Sequence, residues 1–325
     1  MEIVSRARSL FTGTCGMVLV GSSVDVSRTL TTAPLLTAQA LRYALASLIL
    51  LGLAKLTGAP IRRPRGQEWL WLAGVAASGL VLFNVAVVHG VAHAEPAVIA
   101  VAVACVPVVL GLAGPLLERR RPSRRVLAAA AVVTTGSVLV AGIGRTDAAG
   151  IGWAVVTLLC EAGFTLLAVP VLPRHGAWGV SLHSVWMGAA MLLVLGLVTE
   201  GEGAAAALTT IQWAAIGYLA VLVTAVAFLL WYSTVAALGS DRVGLLTGVA
   251  PVAAALAGGG PSTPLVWFGI AVVVAGLAVG LGTPALRRRA TRSGEPRNRG
   301  RREGDLHSVT PGRSAEPPTG PASHH

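Results

Sequence analysis

The chain alternates between long apolar blocks and short polar segments, and the blocks lack the one-sided apolar stripe of helices that face a soluble core. Most blocks contain roughly the 17–25 residues that a helix needs to cross a bilayer. Ten can be followed, at residues 10–26, 36–56, 69–90, 97–117, 126–143, 150–172, 180–199, 213–238, 243–256 and 265–282. The ninth is the shortest and ends at a Gly-Gly-Gly-Pro run. The pattern predicts an all-α polytopic membrane protein with ten transmembrane helices.

The blocks fall into two similar halves. Residues 83–107 and 227–251 each contain an apolar helix, a short polar break and a second helix of small residues that carries a proline. Those prolines, Pro107 and Pro251, are 144 positions apart. A repeated half with five spans must be inverted in the membrane, as in many secondary transporters. The predicted domains are an N-terminus at 1–9, five-helix repeats at 10–145 and 146–283, and a disordered basic tail at 284–325.

Composition and charge agree with a membrane protein. Hydrophobic residues make up 54% of the chain, charged residues only 12%, and the mean hydropathy is +0.73. The net charge of +11 does not indicate nucleic acid, because the cations lie in the tail and in loops beside apolar blocks. With the N-terminus placed inside, the cytoplasmic loops hold thirteen Arg and Lys and the outer loops two, Arg28 and Arg145. This positive-inside bias predicts a multi-pass protein of the cell inner membrane with both termini cytoplasmic and the tail near anionic lipid headgroups.

Several motifs carry a resemblance to a known family. Two five-span repeats, a proline-bearing fourth span before LLERRRPSRR, and a fifth span with TTGSVLVAG resemble the drug/metabolite transporter superfamily, and its EamA-type branch in particular. Gly21-Ser22-Ser23, Arg42 and Ala162-Gly163-Phe164 are similar to motifs of that branch. The second repeat departs from the pattern, since Trp186 stands where a second arginine is expected. The resemblance implies outward transport of amino acids or other small metabolites, frequently in exchange for protons.

Glu161 is the strongest candidate for chemistry. It lies about eleven residues into the sixth block, which places it near the predicted bilayer midplane. A charge at that depth costs roughly 2.5–3.5 kcal/mol or more, so the side chain must face a cavity or carry a proton. A carboxyl that gains and loses a proton as the cavity changes sides would couple transport to protons. The alternative is a protonated Glu161 that is hydrogen-bonded to a neighbouring helix.

Four further residues are candidates for the substrate or proton pathway. Arg42 lies about seven residues into the second block, where it could pair with an acid, a substrate carboxylate, a backbone carbonyl or Asp25. Asn84 in the third block and Trp231 and Tyr232 in the eighth occupy related stretches of the two repeats. Polar and aromatic groups in such positions suit a pocket for a small polar solute. The alternative for Trp231 and Tyr232 is an interfacial aromatic belt.

Prolines and glycines indicate bends and close helix contacts. Pro107 and Pro251 each remove a helix hydrogen bond at related positions, so they are candidates for bends that move during alternating access, or for static kinks. Gly-x3-Gly pairs at 244 and 248 and at 276 and 280 provide small-residue faces for helix packing. Those faces could join the two halves or two protomers of a homodimer.

The sequence favours transport over catalysis. It contains no Walker loop, no metal-ligand spacing and no nucleophile triad, so no cofactor or metal is expected. The first hypothesis is a proton-coupled secondary transporter for a small metabolite. The second is a membrane-embedded enzyme or scaffold without transport activity. The sparse polar residues are spread through both halves, whereas an enzyme would concentrate them at one membrane face.

Overall fold

Regular structure in the described part of the chain is helical. The computed structural model describes residues 2–258 and 263–282, so the predicted tail at 284–325 lies outside the described residues. The helices are α1 (Glu2–Ser22, continued by Val24–Arg28), α2 (Leu35–Thr57), α3 (Glu68–His93), α4 (Pro96–Leu117), α5 (Arg124–Ala141), α6 (Ala148–Leu166), α7 (Leu172–Thr199), α8 (Thr210–Leu238), α9 (Ser240–Gly244, Leu245–Gly248 and Val249–Ala257) and α10 (Pro264–Leu281).

Within the described residues, nine helices, all except α9, are long and apolar enough to cross a membrane. The chain is therefore a polytopic α-helical membrane protein. The first helix begins at Glu2, so most of the predicted N-terminal segment 1–9 is helical rather than a separate tail.

The ninth apolar block is not one continuous helix. It consists of a short α-helix at Ser240–Gly244, a 3-10 turn at Leu245–Gly248 and a second short helix at Val249–Ala257. Glycine is a poor helix former, but it allows close approach to a neighbour. A Cβ at Gly244 would lie 2.8 Å from the Cβ of Leu110 in α4. Close packing against α4 thus accompanies the interruption. Nine of the ten predicted spans correspond to helices long and apolar enough to cross a membrane, and the ninth corresponds to a series of short helices.

Two wide helical turns lie at corresponding places in the halves. A π-helical stretch occupies Ala76–Leu82 in α3, and another occupies Leu219–Val226 in α8. Their first residues are 143 positions apart and their last residues 144, which is the spacing of the sequence repeat. A π-helical turn widens the helix and frees backbone carbonyl groups, and such turns are frequent at functional sites.

The packing of the helices keeps the same pattern when the halves are interchanged. In the first half α1 packs on α8 and α9, and in the second half its counterpart α6 packs on α3 and α4. The counterparts α2 and α7 pack on each other, as do α5 and α10. Each half therefore completes its packing with helices of the other half.

Glycines make the contacts between halves close. A Cβ at Gly136 in α5 would lie 2.7 Å from the backbone nitrogen of Val273 in α10, and one at Gly276 would lie 2.8 Å from Val133 in α5. Gly248 packs against Val133 and Gly280 against Ala129, both in α5, in the same way. The predicted Gly-x3-Gly faces are thus occupied by neighbouring helices of the same chain.

Contacts between loops define two ends of the helical body. At one, here named the basic end, the α2–α3 connection meets the start of α7, and the α4–α5 connection meets the α8–α9 connection. At the other, here named the opposite end, the α3–α4 connection meets the α5–α6 connection, and the start of α8 and the end of α7 meet the α1–α2 region.

Candidate functional site

Glu161 lies in the last third of α6. That helix begins at Ala148 and ends at Leu166, so Glu161 is thirteen residues past its start and five before its end. The sequence placed it near the midplane because the sixth apolar block runs to residue 172, whereas the helix ends earlier. The side chain is half-buried, and no residue in the described ranges forms a hydrogen bond or ion pair with its carboxylate.

Two aromatic side chains of α8 bind α6 one turn beyond Glu161. The Trp231 indole donates a hydrogen bond to Thr165 Oγ1 over 3.1 Å, and the Tyr232 hydroxyl donates to the Phe164 carbonyl over 3.0 Å. Both aromatic residues are buried, which argues against the interfacial belt because belt residues lie at the headgroups. Residues 164 and 165 share a helix face with residue 161. The structure thus brings three of the predicted site residues together.

An aromatic cluster surrounds this contact. The ring centre of Phe164 lies 4.8 Å from that of Phe228 and 5.1 Å from that of Tyr232, within the range of favourable aromatic pairs. The Phe164 ring is seated against Gly79, in the π-helical stretch of α3, where any Cβ would overlap it. The wide turn and the missing side chain together make room for the cluster. Sequence reasoning missed Gly79, and the only signal for it was a glycine inside an apolar block.

Arg42 of α2 is held by neutral side chains. Its Nε donates to Thr224 Oγ1 over 2.9 Å, and its Nη1 donates to Gln39 Oε1 over 3.3 Å. Thr224 belongs to the π-helical stretch of α8, and the guanidinium also lies 5.2 Å from the ring centre of Tyr43. Among the described side chains, neither an acid nor a backbone carbonyl bonds to Arg42, and the side chain of Asp25, the other suggested partner, lies outside the described part of the chain.

Asn84 joins the same region from α3. Its Nδ2 donates to the Tyr43 hydroxyl over 3.1 Å and to the Leu80 carbonyl over 2.6 Å. Leu80 lies inside the π-helical stretch of α3. Arg42 therefore contacts the π-helical stretch of α8 directly, whereas Tyr43 is linked to the π-helical stretch of α3 through Asn84.

The predicted residues thus form two clusters along one face of α8. Thr224, Phe228 and Tyr232 follow each other at intervals of four residues, which places them on the same face. Thr224 binds Arg42, and Tyr232 binds α6 near Glu161. Two helical turns separate the clusters, or roughly 12 Å at 1.5 Å per residue. The aromatic ring of Phe228 lies between them.

Each predicted bend follows an interruption of its helix. Pro107 is the second residue of the helical piece Val106–Leu117, which is separated from Pro96–Ala104 by Cys105. Pro251 is the third residue of Val249–Ala257, directly after the 3-10 turn. Both prolines therefore lie near the start of a helical piece that follows an interruption. That the helices bend there during transport remains a prediction.

Ionic contacts that the sequence did not single out lie at the basic end. Glu68, at the start of α3, binds Arg174 at the start of α7, and its Oε2 lies 3.1 Å from His175 Nε2. His183 Nε2 donates to the Arg62 carbonyl over 2.9 Å, and its Nδ1 accepts from the Trp186 indole over 3.1 Å. The signal for these contacts was the basic run at 62–65, which sequence reasoning used only for topology.

At the opposite end, two exposed pairs join the α3–α4 and α5–α6 connections. Arg145 binds Glu95 over 2.9 Å and holds the pKa of that carboxyl below its usual value. Asp147 caps α6 by accepting from the Gly150 backbone over 2.8 Å and lies 3.1 Å from His93 Nδ1. The Gly150 hydrogen bond, followed by that with His93, lowers the Asp147 pKa. A shallow depression of about 550 Å³ lies beside these pairs, away from Glu161 and Arg42.

No group of three or more His, Cys, Asp or Glu suited to a metal ion occurs in residues 2–258 and 263–282. Arrangements of that kind would be needed for a structural or catalytic metal. The side chains that hydrogen-bond to one another around Arg42 are amides and hydroxyls.

The chain is similar to known proteins both in sequence and in fold. Residues 8–142 match the model of the EamA-like transporter family. The chain is 26% identical over 275 residues to a protein of Bacillus subtilis (strain 168) named "Uncharacterized transporter YetK", a match that covers 81% of this chain and 83% of that protein. It is 27% identical over 213 residues to the "Probable terminal-alkyne amino-acid exporter" of Streptantibioticus cattleyicolor, which covers 64% of this chain and 68% of that protein. A crystal structure at 18% identity superposes with a TM-score of 0.72 over 87% of this chain and 99% of that one, which shows a shared fold.

Proposed function

Because the chain carries an EamA-like transporter family domain at residues 8–142, we propose that it is a proton-coupled secondary transporter. Its solute is a small metabolite such as an amino acid, and its direction is outward. The name of the Streptantibioticus relative, an amino-acid exporter, supports this choice of solute and direction. Exchange of the solute for a proton would use the proton gradient across the cell membrane.

The proposed architecture is ten membrane segments in two inverted repeats, with α9 as the ninth. The interchangeable packing and the matched π-helical stretches support a duplication. An odd number of segments in each half requires the halves to be inverted. We place the basic end in the cytoplasm, together with both termini, on the positive-inside rule. A cysteine introduced at Arg63 should then react with reagents only from the cytoplasmic side, and one at Glu202 only from the outside.

The proposed proton carrier is Glu161. It is the acidic residue in the interior of a predicted span, and its carboxylate has no hydrogen-bond or ionic partner in the described part of the chain. Intramembrane carboxyls of this kind are usually functional, because a merely structural one would be costly to keep. The alternative of a Glu161 hydrogen-bonded to a neighbouring helix is not supported by any contact of the described residues.

Alternating access would use the interrupted helices. Pro107 lies in the first turn of the piece of α4 that follows Cys105. Pro251 lies in the first turn of the piece of α9 that follows Gly248. Since a proline lacks the N–H that would continue the helix, each joint has fewer hydrogen bonds than an uninterrupted helix. We propose that the halves rock at these joints while Glu161 moves between the two sides.

The experiment is a flux measurement in proteoliposomes. The full chain is reconstituted with a pH dye inside, and amino acids are supplied singly across an imposed gradient. The parent should give a solute-dependent pH change, and Glu161→Gln should reduce it to the level of protein-free liposomes. Glu202→Gln is the matched control, because it removes an exposed carboxylate in the α7–α8 connection. Equal pH changes in the Glu161→Gln variant and the parent would reject Glu161 as the carrier, and solute flux without any pH change would reject proton coupling.

A further inference from the structure

Arg42 carries a buried positive charge that none of the described carboxylates neutralises. It is the one buried arginine or lysine within residues 2–258 and 263–282. Its side-chain partners there, Thr224 and Gln39, are neutral. A cation in the membrane interior is costly, and a buried charge without an opposite charge is more so. Ionisable residues kept inside the membrane usually mark substrate or ion pathways.

Part of the guanidinium has no hydrogen-bond partner among the described residues. It has five N–H donors, and its hydrogen bonds use Nε and Nη1 only. Nη2 has no partner in the described residues. The enclosed side-chain atoms that lack a partner there are Arg6 Nε, Ser137 Oγ, His175 Nδ1 and Ser181 Oγ. Nη2 is not one of these, so it is not fully enclosed by protein atoms.

The groups around Arg42 suit one carboxylate and no larger negative charge. Gln39, Tyr43, Asn84 and Thr224 offer amides and hydroxyls, and Asn84 uses only its Nδ2 in the contacts with Tyr43 and Leu80. A planar guanidinium pairs with a carboxylate through two parallel hydrogen bonds. A phosphate ester would bring a second negative charge, for which this region supplies no second cation.

We propose that Arg42 binds the carboxylate of the transported solute, so that the solute is an amino acid or another monocarboxylate. The inference rests on the proposed transport function. The inference assigns carboxylate binding to Arg42 and proton transfer to Glu161, because roughly two helical turns, or about 12 Å, lie between the two clusters. Binding of the carboxylate should therefore survive when the proton carrier is removed.

The test measures binding rather than flux. The full chain is purified in detergent, and its melting temperature is followed with L-amino acids, with the carboxamide of each, and with inorganic phosphate. In the parent at least one amino acid should raise the melting temperature while its carboxamide does not. Arg42→Gln should weaken that affinity roughly tenfold or more, as expected for loss of a charge-assisted hydrogen bond. Arg42→Lys keeps the charge without the planar fork and should lie between the two.

Arg63→Gln is the matched control because it removes an exposed arginine of the α2–α3 connection, and it should bind the amino acid as the parent does. If Arg42→Gln does not fold, Arg42→Lys carries the test, and an affinity equal to that of the parent overturns the proposal. Equal responses to an amino acid and its carboxamide, a stronger response to phosphate, or no response to any monocarboxylate also overturns it. Failure of the transport proposal looks different, because carboxylate binding would then persist without flux in liposomes.

Discussion

The first turns of α3 and α8 share one construction at opposite ends of the molecule. In α3, Glu68 Oε2 accepts from the Arg65 backbone N–H over 2.8 Å, and in α8, Gln212 Oε1 accepts from the Thr209 backbone N–H over 3.0 Å. Both pairs are separated by 144 positions, which is the spacing of the repeat. A side chain that caps the helix start satisfies an otherwise unpaired N–H group.

The two capping residues differ in how they join the halves. Glu68 reaches Arg174 and His175 at the start of α7, so its junction is ionic. Gln212 reaches Thr32 before α2 with a neutral hydrogen bond of 3.2 Å. The backbone hydrogen bond is equivalent at the two helix starts, whereas the charge of the capping side chain differs. An acid is useful at the basic end because cations surround it there.

Loss of the ionic cap should have the largest effect. Glu68→Ala removes the acceptor of Arg174, of the enclosed His175 and of the Arg65 N–H together. Gln212→Ala removes a cap and one neutral hydrogen bond, which should cost about 1 kcal/mol in the free energy of unfolding. Glu68→Ala should cost more than that, as measured by thermal unfolding in detergent. Equal losses in the two variants would mean that the charge at the basic end contributes nothing.

Exchange of the two side chains tests whether each suits its own end. Gln212→Glu keeps an acceptor for Thr209 but loses the donor to Thr32 and places a carboxylate in a buried site. We expect a loss of about 1–2 kcal/mol in the free energy of unfolding. Glu68→Gln keeps the cap and should be milder than Glu68→Ala. Stability unchanged by Gln212→Glu would argue that the opposite end tolerates either residue.

Salt should weaken the ionic junction at Glu68 but not the neutral one at Gln212, and this effect should be smaller than those of the substitutions above. At 1 M salt the Debye length falls to about 3 Å, so half-exposed ion pairs are weakened while neutral hydrogen bonds are not. The difference in melting temperature between parent and Glu68→Gln should therefore shrink from low to high salt. The difference between parent and Gln212→Ala should stay constant. A salt-independent Glu68→Gln difference would contradict an ionic contribution.

Acidification should reveal the smallest effect, at the ionic pairs of the opposite end. The pKa values of Glu95 and Asp147 are lowered in the folded state from ordinary values of 4.5 and 3.8. Their stabilisation is therefore present at neutral pH and is lost as the pH falls through the lowered values. Asp147→Asn keeps an acceptor for the Gly150 N–H but no longer titrates, so its stability should change less with pH below about 4. Identical pH profiles for parent and variant would exclude this contribution.

The candidate site could be predicted in part. Glu161 and Arg42 stand out in sequence because a charge within an apolar block is rare, and that rarity needs no structure to be seen. The partners of Arg42 could not be foreseen, since Thr224 is an ordinary residue of the eighth block until a π-helical turn presents it to α2. The role of Gly79 could not be predicted either, because it depends on the ring of Phe164 in another helix.

The sequence by itself determined the class of protein and the spacing of its halves. Whether a segment can span the bilayer depends on its own length and hydrophobicity, so these properties can be recognised in each block separately. Only the tertiary structure decided that the ninth block is broken, that Trp231 and Tyr232 are buried against α6 rather than exposed at an interface, and that the glycine faces are filled within the chain. Those outcomes depend on which side chains from distant helices compete for the same space, and such contacts are not encoded in any one segment.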